Sequence, residues 1–336
     1  MNRQSRETGT TAGGRPDVLL RPFDPAQDYA QTAALIADVH VADGVEWFPT
    51  EAALAVEWAP GTTFQPGRDV LVAELEGRPV GAARTEWRDR GGKIVHRIEV
   101  WVLPGWRRRG IGRRLLAWAE GRAGDLVRDG LAGPDGVPRE LALWTDADNP
   151  AGVGFARAAG YRPARYHFEM RRPLGEPIPE LPLPDGLESR PVLPGDHRRI
   201  WDADVEAFLD HWEPVTVYDE DFESFVHHPD TDPALWQVAW DGDEVAGSVL
   251  NAIYPEENAR LGVAVGWLDS VSVRRPWRGR GVASALIAAS LRTLRERDMT
   301  VAALGVDSEN PSGALRLYER LGFRRHRTWV ALRKPL

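Results

Sequence analysis

An internal repeat constrains this chain more than any other feature. Trp106–Leu116 (WRRRGIGRRLL) parallels Trp277–Ile287 (WRGRGVASALI). Downstream, Asp148-Asn149-Pro150 matches Glu309-Asn310-Pro311, and Gly160-Tyr161-Arg162 matches Gly322-Phe323-Arg324. Upstream, Arg21-Pro22 matches Arg190-Pro191. Matches in one order mean two copies of a unit of about 150 residues, a tandem duplication and not a solenoid. Between them runs PLGEPIPELPLPDG, Pro173 to Gly186, with prolines at 173, 177, 179, 182 and 184. Such spacing holds a chain extended and semi-rigid. The expected organisation is a tail at 1–16, a first domain at 17–172, a linker at 173–186 and a second domain at 187–336.

Each copy reads as the same coarse series. In the first, Val18–Arg21 is a strand and Gln27–Val41 and Glu51–Trp58 are helices. Val70–Glu76 and Arg78–Glu86 form a hairpin turning at Glu76-Gly77. Lys93–Leu103 is a strand, Gly110–Ala123 a helix, Glu140–Thr145 a strand, Ala151–Ala159 a helix and Ala164–Arg172 the last strand. The second copy turns its hairpin at Asp241-Gly242 and runs its central strand over Ala264–Val273, followed by a helix to about Arg297. Thr300–Val306, Ser312–Leu321 and Arg327–Leu332 follow as strand, helix and strand. The predicted fold class is α+β: two units, each a mixed, mostly antiparallel twisted sheet with helices on both faces.

Within the second copy, Trp267–Ala289 (WLDSVSVRRPWRGRGVASALIAA) joins a strand to a helix through a loop of glycine and arginine. The first amides of a helix lack partners and its dipole favours negative charge. Glycines let the backbone close around a phosphate, and guanidiniums add charge-assisted hydrogen bonds. A pyrophosphate is the expected ligand. A dinucleotide fingerprint is rejected, because Ser284 stands where the third glycine belongs.

Composition narrows the rest. The 43% hydrophobic content with 27% charge is globular. No cysteine is present, which removes disulfides, thiolate metal sites and a cysteine nucleophile. Residues 1–16 lack the apolar stretch of a signal peptide, and no run of 18 apolar residues occurs, so a cytoplasmic protein without a membrane span is expected. The net charge of −8 divides as +1 over residues 1–172 and −9 over 173–336. An acidic second half argues against nucleic acid and mildly favours a cationic partner. The eight histidines show no metal-ligand spacing, and His227-His228 before Pro229 reads as a solvated helix end. No Gly-x-Ser-x-Gly turn occurs.

Arg278-x-x-Gly281-x-Ala283, after a strand ending Val271-Ser272-Val273, resembles motif A of the GNAT acetyltransferase superfamily. Leu304–Pro311 through Leu317–Phe323 resembles its next motif, and Arg107-x-x-Gly110-x-Gly112 with Asp148-Asn149-Pro150 carries the likeness into the first copy. The tandem arrangement resembles the two-domain group that includes mycothiol synthase. The resemblance implies acetyl-CoA as co-substrate, no metal, and transfer of the acetyl group to a small-molecule amine by a monomer or homodimer. A non-catalytic acyl-CoA-binding protein, or transfer to a hydroxyl or from a longer acyl chain, remains the alternative.

By the same resemblance, Arg278, Gly279, Arg280, Gly281, Val282, Ala283 and Ser284 hold the pyrophosphate, with Asn310 nearby, and the amides of Val271 and Val273 face the pantetheine arm and thioester. Tyr318 occupies the tyrosine position and donates to the leaving thiolate. Ala314, Leu317, Tyr318 and Leu321 share a helical face, so a purely core role for the ring is the alternative. The attacking amine needs a base. Asp269, two residues before Val271 on the same strand face, is the first choice, with structural hydrogen bonding as its alternative. Asp210 and His211, in a helical region bordering the acceptor site in relatives, are second choices.

The first copy departs from this pattern. Its tyrosine position is Ala156, beside Phe155, and the equivalent of Asp269 is Ile98, with Glu99 facing away unless a bulge rotates it. Its loop is intact: Val100, Val102, Arg107, Arg108, Arg109, Gly110, Ile111 and Gly112 are the candidate cofactor residues. This copy either binds cofactor without chemistry or lends a wall to the second.

Overall fold

The computed structural model describes residues 18–310 and 312–336; the expected tail and Pro311 of the Glu309-Asn310-Pro311 motif lie outside the described residues. The first copy forms β1 (Leu19–Pro22), α1 (Tyr29–Asp43), α2 (Glu51–Glu57), α3 (Pro66–Asp69), β2 (Val70–Leu75), β3 (Arg78–Asp89) and β4 (Ile94–Val102). It continues with α4 (Ile111–Arg128), β5 (Arg139–Asp146), α5 (Pro150–Ala158) and β6 (Arg162–Pro173). The second copy forms β7 (Glu188–Ser189), α6 (His197–Phe208), α7 (Asp219–His227), β8 (Gln237–Asp241), β9 (Glu244–Ile253) and α8 (Pro255–Leu261). Then come β10 (Val265–Val273), α9 (Val282–Glu296), β11 (Val301–Asp307), α10 (Ala314–Arg320) and β12 (Arg324–Pro335). No helix among the described residues is long and apolar enough to cross a membrane.

Strand alternation divides each copy into two cores. Leu71 and Ala73 of β2 face Leu115, Leu116 and Ala119 of α4, while Val70 and Val72 face Leu35 and Ile36 of α1. In the second copy Val249 faces Leu286, Ile287 and Leu291 of α9, and the adjacent Leu250 faces Ile200 and Ala203 of α6. Period-2 side chains on strands and period-3.6 stripes on helices thus place α4 and α9 against one side of a sheet and α1 and α6 against the other. The first hairpin turns with Glu76 at φ 49° and Gly77 at φ 79°, the pair of left-handed residues that a tight two-residue turn requires.

One 12-stranded sheet runs through both copies in the order β1-β2-β3-β4-β5-β12-β6-β11-β10-β9-β8-β7. Only β4–β5 and β10–β11 pair in parallel among the described strands. The last strand of each copy is exchanged. β6 lies between β11 and β12, and β12 lies between β5 and β6. Arg165 on β6 fastens the exchange with a two-bonded pair to Asp307 on β11, at 2.8 and 2.9 Å. Lys334 on β12 does the same to Glu120 of α4, at 3.0 Å to each oxygen. The proline-rich stretch after β6 is seated, not free. Ile178, Leu181 and Leu183 pack on the second core, and buried Arg172 donates to the carbonyls of Leu321 and Pro177 at 2.7 Å.

Glycines fix the approach of the hairpin to the central strand in both copies. A Cβ on Gly247 would lie 2.6 Å from the Ser272 carbonyl oxygen, and one on Gly81 would lie 2.8 Å from that of Trp101. Both obstacles are backbone, so strands must part to admit a methyl group. Gly247→Ala should therefore destabilise the fold by about 1–3 kcal/mol, read from urea or thermal melts. Gly105→Ala, which meets open space, is the matched control.

Candidate active site

The central strand of the second copy leaves its neighbour part-way. β10 pairs with β11 from Val265↔Val301 to Leu268↔Leu304 and no further, while its pairing with β9 continues to Val273↔Gly247. A V-shaped cleft opens beyond Leu268. The Arg274 N–H donates to Ala246 O at 3.0 Å, so by alternation the amides of Ser272 and Ser270 also face β9. Those of Val271 and Val273 turn to the open side. The first copy repeats this: β4–β5 pairing ends at Arg97↔Ala142, Leu103 N–H donates to Val80 O at 3.0 Å, and Val100 and Val102 face the cleft.

At the mouth of the second cleft the loop rises through Gly279 at φ 73° and Gly281 at φ 93°, and α9 begins with no side-chain cap. The amides of Val282, Ala283 and Ser284 therefore emerge without intrahelical acceptors. Arg278 corrects the expectation of a phosphate-gripping guanidinium. It folds back, donating to Val273 O at 2.8 Å, Ala207 O at 3.0 Å and Asp210 at 2.6 Å. Arg107 does likewise, to Val102 O at 3.0 Å and to Asp43 at 2.6 and 2.9 Å. In both copies this arginine ties the strand end to the helical layer, leaving backbone amides and Arg280 for an anion. Arg280 makes one long contact, 3.4 Å to Asp185 O. Asn310 directs its side-chain oxygen to the Ser312 N–H at 2.9 Å, building the turn before α10. In the first copy Arg108 takes the left-handed φ of 63° that glycine holds in the second, and Arg109 stacks 4.6 Å over Trp106.

Tyr318 sits on α10, 6% exposed, its ring edge-on to Phe323. Its hydroxyl has no hydrogen-bond partner among the described residues, and burial pushes the phenol up to about 12. The equivalent Ala156 is buried, and the Phe155 ring lies 3.5 Å from where a Cβ on Gly112 would be, against Val102 and the first turn of α4.

Asp269 lies at a β-bulge, where the register with β9 shifts between Leu268 and Ser270. The extra residue redirects its carboxylate into a cavity of about 260 Å³ that adjoins a second of about 320 Å³. Both are lined by Glu57, His228, Asp230, Tyr254 and Asp269. The residue is exposed to this open space, and desolvation by the cavity walls raises the carboxylate to about 6, opposed by the Tyr254 hydroxyl, which donates at 2.5 Å. β4 has no such bulge. Glu99 is instead paired with Arg97 at 2.7 Å and Arg84 at 3.3 Å, which hold it below its ordinary value against the effect of burial.

The second-choice residues are corrected. Asp210 and His211 follow the end of α6, outside the helix. Arg275 and Arg278 hold Asp210 far below the usual carboxylate range, so it is no base. The His211 ring packs on Phe208 at 4.2 Å, and burial lowers its pKa. His227 is solvated at 70% side-chain exposure, but His228 at 19% is not. The His228 ring turns Nε2 toward Glu57 of the other copy at 3.5 Å, and Nδ1 accepts the Asp230 N–H at 3.2 Å. The sequence reading missed His228, Tyr254, Glu57 and Glu257, since none belongs to a motif.

Both copies wall this cavity. Val45–Thr50, Ala53 and Glu57 come from the first, and Trp267, Tyr254 and Glu257 from the second. The helix α7 is docked on the first copy by Arg88–Asp221 at 2.8 Å, Thr62 N–H to Glu220 at 2.6 Å and Ser224 to Val56 O at 3.3 Å. Glu46, Glu169 and His326 approach within 4.8 Å of one another, but Arg171 and Arg327 pair with these carboxylates and already balance them.

The acetyltransferase (GNAT) family matches this chain twice, over residues 33–161 and 197–323. The chain belongs to the GNAT acetyltransferase family. It is an enzyme, an acyltransferase of the tandem GNAT type. The mycothiol acetyltransferase of Geodermatophilus obscurus is 34% identical over 317 residues, covering 93% of this chain and 96% of that one. The mycothiol acetyltransferase of Salinispora arenicola is 32% identical, covering 84% and 86%. Among solved structures, a GCN5-related N-acetyltransferase from Sphaerobacter thermophilus has a TM-score of 0.69 at 28% identity, covering 95% of each chain. A tandem GNAT protein from the clavulanic acid biosynthesis pathway has the same TM-score of 0.69 at 19% identity, covering 95% of this chain, and shares the fold. GNAT acetyltransferases use acetyl-CoA as co-substrate, and the uncapped start of α9 with the cleft-facing amides of β10 fits such a ligand.

Proposed function

We propose that this GNAT enzyme transfers an acetyl group from acetyl-CoA to a primary amine of a small molecule, and that the second copy performs the transfer. One observation carries the reading: the open strand edge, the uncapped loop, a free phenol and a cavity carboxylate occur together only in that copy. Bound acetyl-CoA supplies the activated acyl group. Gly279–Ser284 hold its phosphates through backbone amides, and Val271 and Val273 offer N–H groups where negative charge develops on the acyl oxygen.

Asp269 receives the proton that the amine loses. With Asp269 at about 6, transfer from a lysine-like ammonium is uphill by about 6 kcal/mol, and from an α-ammonium by about 3 kcal/mol. Tyr318 donates a hydrogen bond to the departing sulfur. With its phenol at about 12 and a thiol at about 8.5, full proton transfer would cost about 5 kcal/mol, so the proton stays shared. The first copy, with Ala156 for the phenol and Phe155 against α4, serves as the far wall of the acceptor cavity.

Tyr318→Phe tests the assignment. Acetyl-CoA affinity by calorimetry should be unchanged, and turnover by thiol release should fall about tenfold or more. Unchanged turnover would remove Tyr318 from the chemistry.

A further inference from the structure

The acceptor cavity is charged in a way that acetyl transfer alone does not require. No lysine or arginine lines either chamber. Four carboxylates besides Asp269 line the space without an arginine or lysine partner among the described residues: Glu57, Asp230, Glu256 and Glu257. Glu57 and Asp230 share His228, and Glu46 and Glu169 share Arg171, which leaves Glu256 and Glu257 with neither.

Glu257 stands apart from the others. It is 4% exposed, opens onto the cavity from α8 and makes no ion pair among the described residues, the indole N–H of Trp267 being the donor that faces it. That indole N–H is buried and closes no hydrogen bond of its own, so it offsets the burial of Glu257 only in part and leaves the carboxyl without a cation. Burial lifts the Glu257 carboxyl to about 8. A buried carboxyl without a cation opposes folding, and such groups concentrate where a ligand binds. A hydroxyl could satisfy one lone pair but would leave the ionised form uncompensated, whereas a cation cancels the charge as well. Trp47, Trp267 and Trp329 line the same chamber and offer ring faces that attract a cation.

We propose that the acceptor carries two basic nitrogens, one presented to Asp269 for acetylation and the second held by Glu257 among these indoles. The same charge pattern disfavours acceptors that bear a carboxylate, because no lysine or arginine lines the cavity and His228 already faces Glu57 and Asp230. This inference rests on the reading that the cavity takes the acceptor amine.

The test is equilibrium binding, which does not depend on turnover. The full-length protein saturated with coenzyme A is titrated with putrescine, with the amino alcohol of the same chain length and with the amino acid of the same chain length. Binding is followed by tryptophan fluorescence and calorimetry. Putrescine should bind about tenfold tighter than the amino alcohol, the value of one charge-assisted contact, and the amino acid should bind weakest. Glu257→Gln, which keeps the shape of the side chain, should erase the preference for putrescine and leave the amino alcohol unchanged. Equal affinities in the wild type, a preference that survives Glu257→Gln, or no binding of any of the three would overturn the proposal. A parallel assay with acetyl-CoA separates the two readings. Glu257-dependent binding without acetylation removes the transfer reading alone, and acetylation without the charge preference removes this one alone.

Discussion

Asp269→Asn should lower kcat/KM for the acceptor by about two orders of magnitude or more, with acetyl-CoA affinity unchanged. The amide keeps the size and the Tyr254 contact but accepts no proton. The sign of the pH dependence follows from the environment. Desolvation raises this carboxyl from 3.8 to about 6, so the competent, ionised form is lost as pH falls through about 6. Wild-type kcat/KM should therefore show an acid limb near that value, and the variant should lack it. Measuring both profiles between pH 5 and 8, roughly the range over which such a group titrates, settles the role. A variant that keeps the rate and the limb would place the base elsewhere in the cavity, with His228 the next group to replace.

Gly281→Val should weaken acetyl-CoA binding about tenfold or more. Residue 281 sits at φ 93°, a conformation that a β-branched side chain occupies only at a cost of roughly 1–3 kcal/mol. Nothing lies within 4 Å of the added Cβ, so it projects into the open space before the first turn of α9, where phosphates would rest. The equivalent Gly110→Val, at φ 85°, imposes the same backbone strain on the first copy. It should leave turnover close to wild type, because the phenol and the cavity carboxylate belong to the other cleft. Calorimetric titration of the two variants measures affinity, and thiol release measures turnover. If Gly110→Val were the more damaging, the assignment of the copies would be reversed.

Much of this protein is written locally. The repeat, the order of elements, the Gly279–Gly281 loop and the place of Tyr318 follow from neighbours in sequence: β-branched strand residues, glycines at left-handed positions, and helix formers with one apolar stripe. The valine amides of β10 and β4 were legible too, because strand alternation is fixed once the strand is. Simple alternation put Asp269 on the same strand face as Val271, whereas a bulge is what turns it toward the cavity.

The rest depends on which surfaces meet. Arg278 and Arg107 carried the charge expected of a phosphate clamp, yet a guanidinium goes to the strongest acceptors in reach, here Asp210, Asp43 and the last carbonyls of β10 and β4. The exchange of β6 and β12 leaves no trace in their alternation, since a strand presents the same ladder to either neighbour. His228 looked like a solvated helix end until the first copy brought Glu57 to it across the interface. Glu257 and Tyr254 lie in no motif for the same reason. Short-range backbone preferences are enough to set the two units, their strand–loop–helix signature and the residues that flank it. The cavity between the copies is a different matter, because it exists only when surfaces about 200 residues apart are packed against one another.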